Sequence, residues 1–386
     1  MSYLKNALDN NKKKKECIIQ KPTFKSRNYI NSTIYCINNN YLLFNTDPIV
    51  NNVLYNVYNP RNIIIKREKV KINREINNLQ DLIKLINDYP ILPNAEYNID
   101  IERLDKIKEL LIELNNMIGI EDIKNNIVDQ ILFYLQNFHL KNGINYMHTV
   151  LYGPPGTGKT EIAKIIGKIF SKLGILKKES FRKVVRADLI AGYLGQTAIK
   201  TSKVIDESLG GVLFIDEAYS LGNSEKRDSF AKECIDTLCE ALSNHRDNLM
   251  VIIAGYEEEL KDCFFSFNPG LKSRFPWILK TDKSTPEQLR NIFIKKVTDM
   301  KWKIKDENDI NIAFFEKNKN LFPYYGRDIE ILVLKTTIAH GRRVLCLDKN
   351  EKTIINKKDL EKGLELFKKY SNIEENNNNI VNSMYN

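Results

Sequence analysis

The run Gly153-Pro154-Pro155-Gly156-Thr157-Gly158-Lys159-Thr160 reads Gly-x-x-x-x-Gly-Lys-Thr, and its flanks narrow the fold more than any other feature of the 386 residues. Thr149 to Tyr152 supply a short strand before it, and Ile162, Ile165, Ile166, Ile169 and Phe170 follow at helical spacing. A glycine-rich turn between a strand and a helix is a cradle for phosphate. Glycines let the backbone wrap a triphosphate with its N–H groups pointing inward, and the helix N-terminus adds a favourable dipole. In such a loop Lys159 reaches the β and γ phosphates, and Thr160 is the candidate Mg²⁺ ligand.

A second motif complements the first. Gly211-Val212-Leu213-Phe214-Ile215 is an apolar strand that delivers Asp216 and Glu217 at its C-terminal end. Acidic residues after such a run can simply end a strand. Beside a phosphate loop, Asp216 is the candidate water-mediated Mg²⁺ partner and Glu217 the base that polarises an attacking water. The pairing points to ATP and Mg²⁺ as cofactors, and a Glu at this position favours hydrolysis over binding alone.

Around these motifs the chain divides. Residues 1–95 are rich in Asn, Tyr and Ile, with β-like runs at Ser32–Cys36, Tyr41–Phe44 and Asn62–Lys66 and a basic arm at Lys12 to Lys15. Residues 96–281 open with helical spacing at Leu104, Ile107, Leu111 and Leu114 and a second helical stretch from Glu121 to Leu140. Strand segments follow near His148–Tyr152, Lys183–Arg186, Gly211–Ile215, Leu249–Ala254 and Pro276–Lys280. Alternating strands and helices predict an α/β domain with a central parallel sheet flanked by helices. Residues 282–370 read as a C-terminal helical lid in which no further strand is required: Thr285-Pro286-Glu287-Gln288 has the cap, the proline and the Gln of a helix start. The Asn-rich stretch 371–386 reads as a disordered tail.

Composition excludes little but helps. No stretch of about 18 apolar residues predicts a membrane span, so an intracellular, soluble protein is expected. The six cysteines form no C-x-x-C pair and are read as reduced thiols. A net charge of +10 suits an acidic partner, yet the lysines are scattered, so solvated surface ranks ahead of a nucleic-acid groove.

The chain resembles the AAA+ ATPases, and within them the CbbX group. The resemblance rests on Asp188-Leu189-Ile190-Ala191-Gly192-Tyr193-Leu194-Gly195-Gln196-Thr197-Ala198, on Gly210 to Tyr219, on Ala254-Gly255-Tyr256 and on Asn268-Pro269-Gly270-Leu271-Lys272-Ser273-Arg274-Phe275. It covers roughly residues 118–370. The resemblance implies a P-loop NTPase fold working as a ring of identical subunits, expected to be a hexamer. It makes Tyr193, between Gly192 and Gly195, a pore-loop aromatic that grips polypeptide; the plainer reading is a Tyr packed at the base of a loop. It makes Arg274 an arginine finger for the adjacent subunit, with Lys272 where relatives carry a second basic residue, and Arg327 a sensor reaching the γ-phosphate from the lid. Ile118-Gly119-Ile120 resembles the loop beside adenine. The end of the fourth strand, where a polar sensor is usual, carries Ala254-Gly255-Tyr256 instead, which leaves Tyr256 as the candidate there.

The expected activity is ATP hydrolysis between ring subunits, coupled to threading or tugging an unidentified protein client. Two alternatives stand beside it: a nucleic-acid-directed ATPase, such as a helicase or its loader, and an assembly scaffold held together by nucleotide.

Overall fold

A computed structural model describes residues 33–37, 40–44, 68–141, 146–193, 195–223 and 228–369. The basic arm at Lys12, the run Asn62–Lys66 and the tail 371–386 lie outside them. The chain forms two compact units, Met1–Glu68 and Lys69–Asn386. In the first, Thr33–Ile37 pairs antiparallel with Asn40–Phe44, in the register Thr33↔Phe44 to Ile37↔Asn40. Two of the three expected β-like runs supply these strands.

The second unit is built on a parallel sheet of β1 (Thr149–Tyr152), β2 (Phe181–Val184), β3 (Val212–Ile215), β4 (Met250–Gly255) and β5 (Trp277–Lys280). Their spatial order is β2-β3-β4-β1-β5. The motif-bearing β1 lies inside the sheet, between β4 and β5, and β2 is an edge. Alternation along each strand decides which face a side chain covers. Leu151, Phe214, Ile252 and Leu279 join one core with α1 (Leu79–Asp88), α2 (Ile101–Asn115), α3 (Glu121–Leu135) and α4 (Lys159–Lys172). Val150, Leu213, Ile215, Val251 and Ile253 join the other, with α5 (Thr197–Ser208), α6 (Ser229–Asn244) and the short α7 (Gly270–Arg274). Each fully buried aliphatic side chain contributes about 1.5–3 kcal/mol, so the two cores fix the sheet between helix layers.

Three local differences from the sequence reading have physical causes. The second strand was expected at Lys183–Arg186 and runs Phe181–Val184. The Asp188 carboxylate accepts from the Val185 N–H at 2.8 Å, and the chain turns into a short helix at Arg186. The expected helix to Leu140 stops at Leu135, because Asn137 takes φ 57°; Phe138–Lys141 form a separate turn. The break expected near residue 95 falls between α1 and α2, whose Leu82, Leu104 and Leu111 share one core, while the compact unit begins at Lys69.

The lid gathers α8 (Pro286–Asp299), α9 (Ile312–Lys317), α10 (Gly326–Val344) and α11 (357–369) around Phe293, Phe315, Phe322, Leu332 and Phe367. Thr285 caps α8 in a box with Gln288: the Gln288 N–H donates to the Thr285 hydroxyl at 3.2 Å, and the Thr285 N–H donates to Gln288 Oε1 at 2.9 Å. The lid is helical as expected, with one addition: Lys303–Ile304 and Ile354–Ile355 make a two-residue parallel pair inside it. Among the described residues no helix is long and apolar enough to cross a membrane.

Candidate functional site: a nucleotide cavity under the lid

The glycines of the loop carry conformations that side chains resist. Gly156 and Gly158 have φ of 77° and 82°, in the left-handed region. At Gly156 the surroundings forbid a side chain as well: a Cβ there would stand 2.0 Å from the Tyr324 carbonyl oxygen in the lid. Phosphate loop and lid therefore touch backbone to backbone.

Between them opens a cavity of about 700 Å³. Gly153, Pro155, Gly156, Thr157, Gly158, Lys159 and Thr160 line it from the loop, Asp216 and Glu217 from the end of β3, Gly119 from the segment before α3, and Arg327 from the start of α10. Pro154 stays off the wall and works through its carbonyl, which accepts from the Thr157 hydroxyl and from Lys159 Nζ, each at 2.8 Å. Lys159 Nζ also donates to the Gly153 carbonyl at 2.8 Å. Burial pushes the Lys159 ammonium below its ordinary range, Asp216 and Glu217 pull it back up, and Arg327 adds to the lowering. A triphosphate would relieve that strain, because it supplies the negative charge that the loop, Lys159 and Arg327 face.

Several wall residues escaped the sequence reading. Thr281, just past β5, meets the Thr157 hydroxyl at 2.8 Å and bonds the Tyr152 carbonyl through its backbone N–H at 2.8 Å. Lys295 of α8 donates to the Asn116 carbonyl at 2.7 Å, and Gln288 presses on Gly119, where a Cβ would lie 2.7 Å from its side chain. The segment 116–119 is thus clasped by the lid helix. Tyr219 also lines the cavity, its ring centroid 5.9 Å from that of Tyr256, the candidate the sequence offered at the end of the fourth strand, which lines the cavity too. At the end of β4 the polar atom offered to the loop is a backbone one: the Gly255 carbonyl accepts from the Gly153 N–H at 3.1 Å.

Arg274, Tyr193, Gly192 and Gly195 do not line the cavity. Arg274 points elsewhere, its Nε donating to the Ser243 hydroxyl at 2.7 Å and its Nη1 to the Gly270 carbonyl at 2.6 Å. Lys272 is exposed. Tyr193 is 75 % exposed, on the loop that follows β2, with exposed glycines at 192 and 195. The reading of a Tyr packed at a loop base does not describe it; Leu194 lies outside the described residues.

A strand–loop–helix cradle, an acidic pair at the end of a nearby parallel strand and a helical lid across the opening define a P-loop nucleoside triphosphatase. Comparison with known proteins narrows the class. A family model described as "ATPase family associated with various cellular activities (AAA)" matches residues 149–282. A cfxQ-like protein of Acanthamoeba polyphaga mimivirus is 41 % identical over 314 residues, 80 % of this chain and 76 % of that one. Stage V sporulation protein K of Bacillus subtilis (strain 168) is 33 % identical over 305 residues, 74 % of this chain and 94 % of that one. Among solved structures, a RuvB mutant of Thermotoga maritima is similar over 66 % of this chain and 72 % of its own, at 19 % identity and a TM-score of 0.45. The chain belongs to the AAA ATPases, in the group that includes the cfxQ-like proteins and stage V sporulation protein K. ATP binding and ATPase activity come with that membership.

Proposed function

We propose that the protein is a ring-forming motor that hydrolyses ATP at subunit boundaries and uses Tyr193 to move a protein client. The observation that carries the reading is the division of labour among the site residues. Lys159, Asp216, Glu217 and Arg327 converge on one cavity, whereas Arg274 and Tyr193 face away from it. An arginine whose Nε and Nη1 bond only neutral oxygens is a group ready for an anion on another subunit. Tyr193, flat and apolar between two exposed glycines, offers a contact to a passing chain.

In this reading Lys159 leaves the Gly153 and Pro154 carbonyls for the phosphates. Glu217 orients and deprotonates the attacking water, and Arg274 of the adjacent subunit meets the charge that develops on the transferred phosphoryl group; such fingers are worth about 10³–10⁵ in rate. Thr160 and Asp216 provide the hydroxyl and carboxylate oxygens that suit Mg²⁺. When bound there, Mg²⁺ supplies electrostatic stabilisation of the phosphate oxygens. Arg327 lies at the first turn of α10, so contact with a phosphate ties the lid to the nucleotide state.

The test is ATP turnover of Lys159→Ala, Glu217→Gln and Arg274→Ala, each expected to fall by about 10²-fold or more. Wild-type turnover in all three would reject the assignment. Stimulation by DNA or RNA that falls steeply with salt would instead favour the nucleic-acid reading suggested by the +10 charge. Client remodelling that survives Tyr193→Ala would favour the nucleotide-held scaffold.

A further inference from the structure

Lys183 is a cation that the phosphate loop does not account for. It stands on the edge strand β2, and its Nζ lies 2.7 Å from Oδ2 of Asp216, with side-chain exposures of 47 % and 21 %. Asp216 lines the nucleotide cavity and Lys183 does not, so the ammonium acts on the site through that carboxylate. The parallel register explains the meeting. Lys183 sits opposite Phe214, and the Asp216 N–H donates to the Val184 carbonyl at 3.1 Å, which brings the end of β3 alongside the exit of β2.

A carboxylate offers about four lone-pair positions and a single negative charge. With Nζ already against one oxygen, Asp216 presents a weaker field to any second cation, and that cation's hydration shell must share the carboxylate with Lys183. Lys159 is parked in a comparable way, on the carbonyls of Gly153 and Pro154. Both ammonium groups thus hold oxygens of the site, but Lys159 has a phosphate to move to. Lys183, outside the cavity, has none.

We propose that Lys183 is a built-in counter-ion that competes with hydrated Mg²⁺ for Asp216, and so sets how much Mg²⁺ the nucleotide site requires. It is a positioning residue, acting through Asp216 and not on the nucleotide. This inference rests on the cavity alone, so it stands or falls apart from the ring and the pore.

The experiment follows binding and not turnover. A fluorescent ADP analogue is titrated onto the full chain at a series of Mg²⁺ concentrations, for the wild type, Lys183→Met and Lys183→Arg. The half-exposed setting of the pair limits its strength, so Lys183→Met is expected to lower the half-saturating Mg²⁺ roughly two- to fivefold. Lys183→Arg, which keeps the charge, is expected to retain the wild-type requirement, and Mg²⁺-free binding of the analogue is expected to be equal in all three. A mere pin between strands predicts otherwise: an unchanged or increased Mg²⁺ requirement in Lys183→Met overturns the proposal, as does an equal decrease in Lys183→Arg. Matching unfolding temperatures without nucleotide confirm that the chains compared are folded.

Discussion

Glu217 holds φ at 51° and Tyr325 at 48°, in a region that side chains other than Asn and Asp rarely enter. Residues kept there cost of order 1–3 kcal/mol each and persist only where their surroundings insist. Both flank the cavity: Glu217 lines it, and Tyr325 precedes Gly326 and Arg327, which do. A glycine comparison tests how tightly the loop and lid are apposed. Gly174 has φ 73° with nothing within 4 Å of a built Cβ, whereas Gly156 has φ 77° and the Tyr324 carbonyl at 2.0 Å. Gly174→Ala is expected to destabilise by about 1–2 kcal/mol, the cost of the left-handed conformation alone. Gly156→Ala is expected to lower the unfolding temperature further and to weaken ATP binding as well; equal effects of the two would mean that loop and lid are not in contact. The glycines and Lys159 were readable because their role follows from local order along the chain. Thr281 was not, since its partner Thr157 is 124 residues away, and Lys295 meets Asn116 across 179.

Periodicity made most elements legible, because burying a face leaves its mark every two or every three to four residues. What it could not reveal were the ends set by a single side chain: Asp188 closing β2, or Asn137 closing the approach to the turn at Phe138. The two-residue pair in the lid was equally invisible, being too short to show alternation. One element contact predicts a pH effect. His148, just ahead of β1 and fully buried, accepts the Val251 N–H of β4 at its Nδ1, 3.1 Å away, which leaves Nε2 to donate to the Leu242 carbonyl of α6 at 3.1 Å. Burial pushes its pKa down from 6.5 to about 4. A depressed value means that the unfolded chain takes up the proton first, so the contribution is complete above pH 6.5 and is lost as the pH falls toward 4. Between pH 7 and pH 5 this residue should remove about 2 kcal/mol of stability, at roughly 1.4 kcal/mol per pH unit below 6.5. His148→Gln should flatten that slope in denaturant unfolding series; an unchanged slope would exclude His148 as its source.

For the whole molecule, the question is where the missing positive charge of each site comes from. If Arg274 serves a neighbour, two inactive variants can repair one another. Lys159→Ala offers a sound arginine beside a ruined cradle, and Arg274→Ala the reverse. Mixed in equal amounts, they should recover a measurable fraction of wild-type turnover, and wild-type turnover per chain should rise with protein concentration. Mixtures no more active than their components would place the whole site within one subunit. The paired strands Thr33–Ile37 and Asn40–Phe44 offer no such internal logic, because recognition surfaces follow the partner and not the cradle.

The position of β2 has a mechanical consequence. It is an edge strand held to β3 through a parallel register from Phe181↔Val212 to Val184↔Ile215, and its exit is tied down by Arg186, which donates to the Ser220 and Leu221 carbonyls at 2.7 and 2.8 Å. In the proposed motor, a load taken up at Tyr193 would reach the sheet only through this anchored exit, so the Arg186 contacts stand between the loop and the rungs of β2. An anchor placed there would keep the strain of such a load from falling first on the sheet.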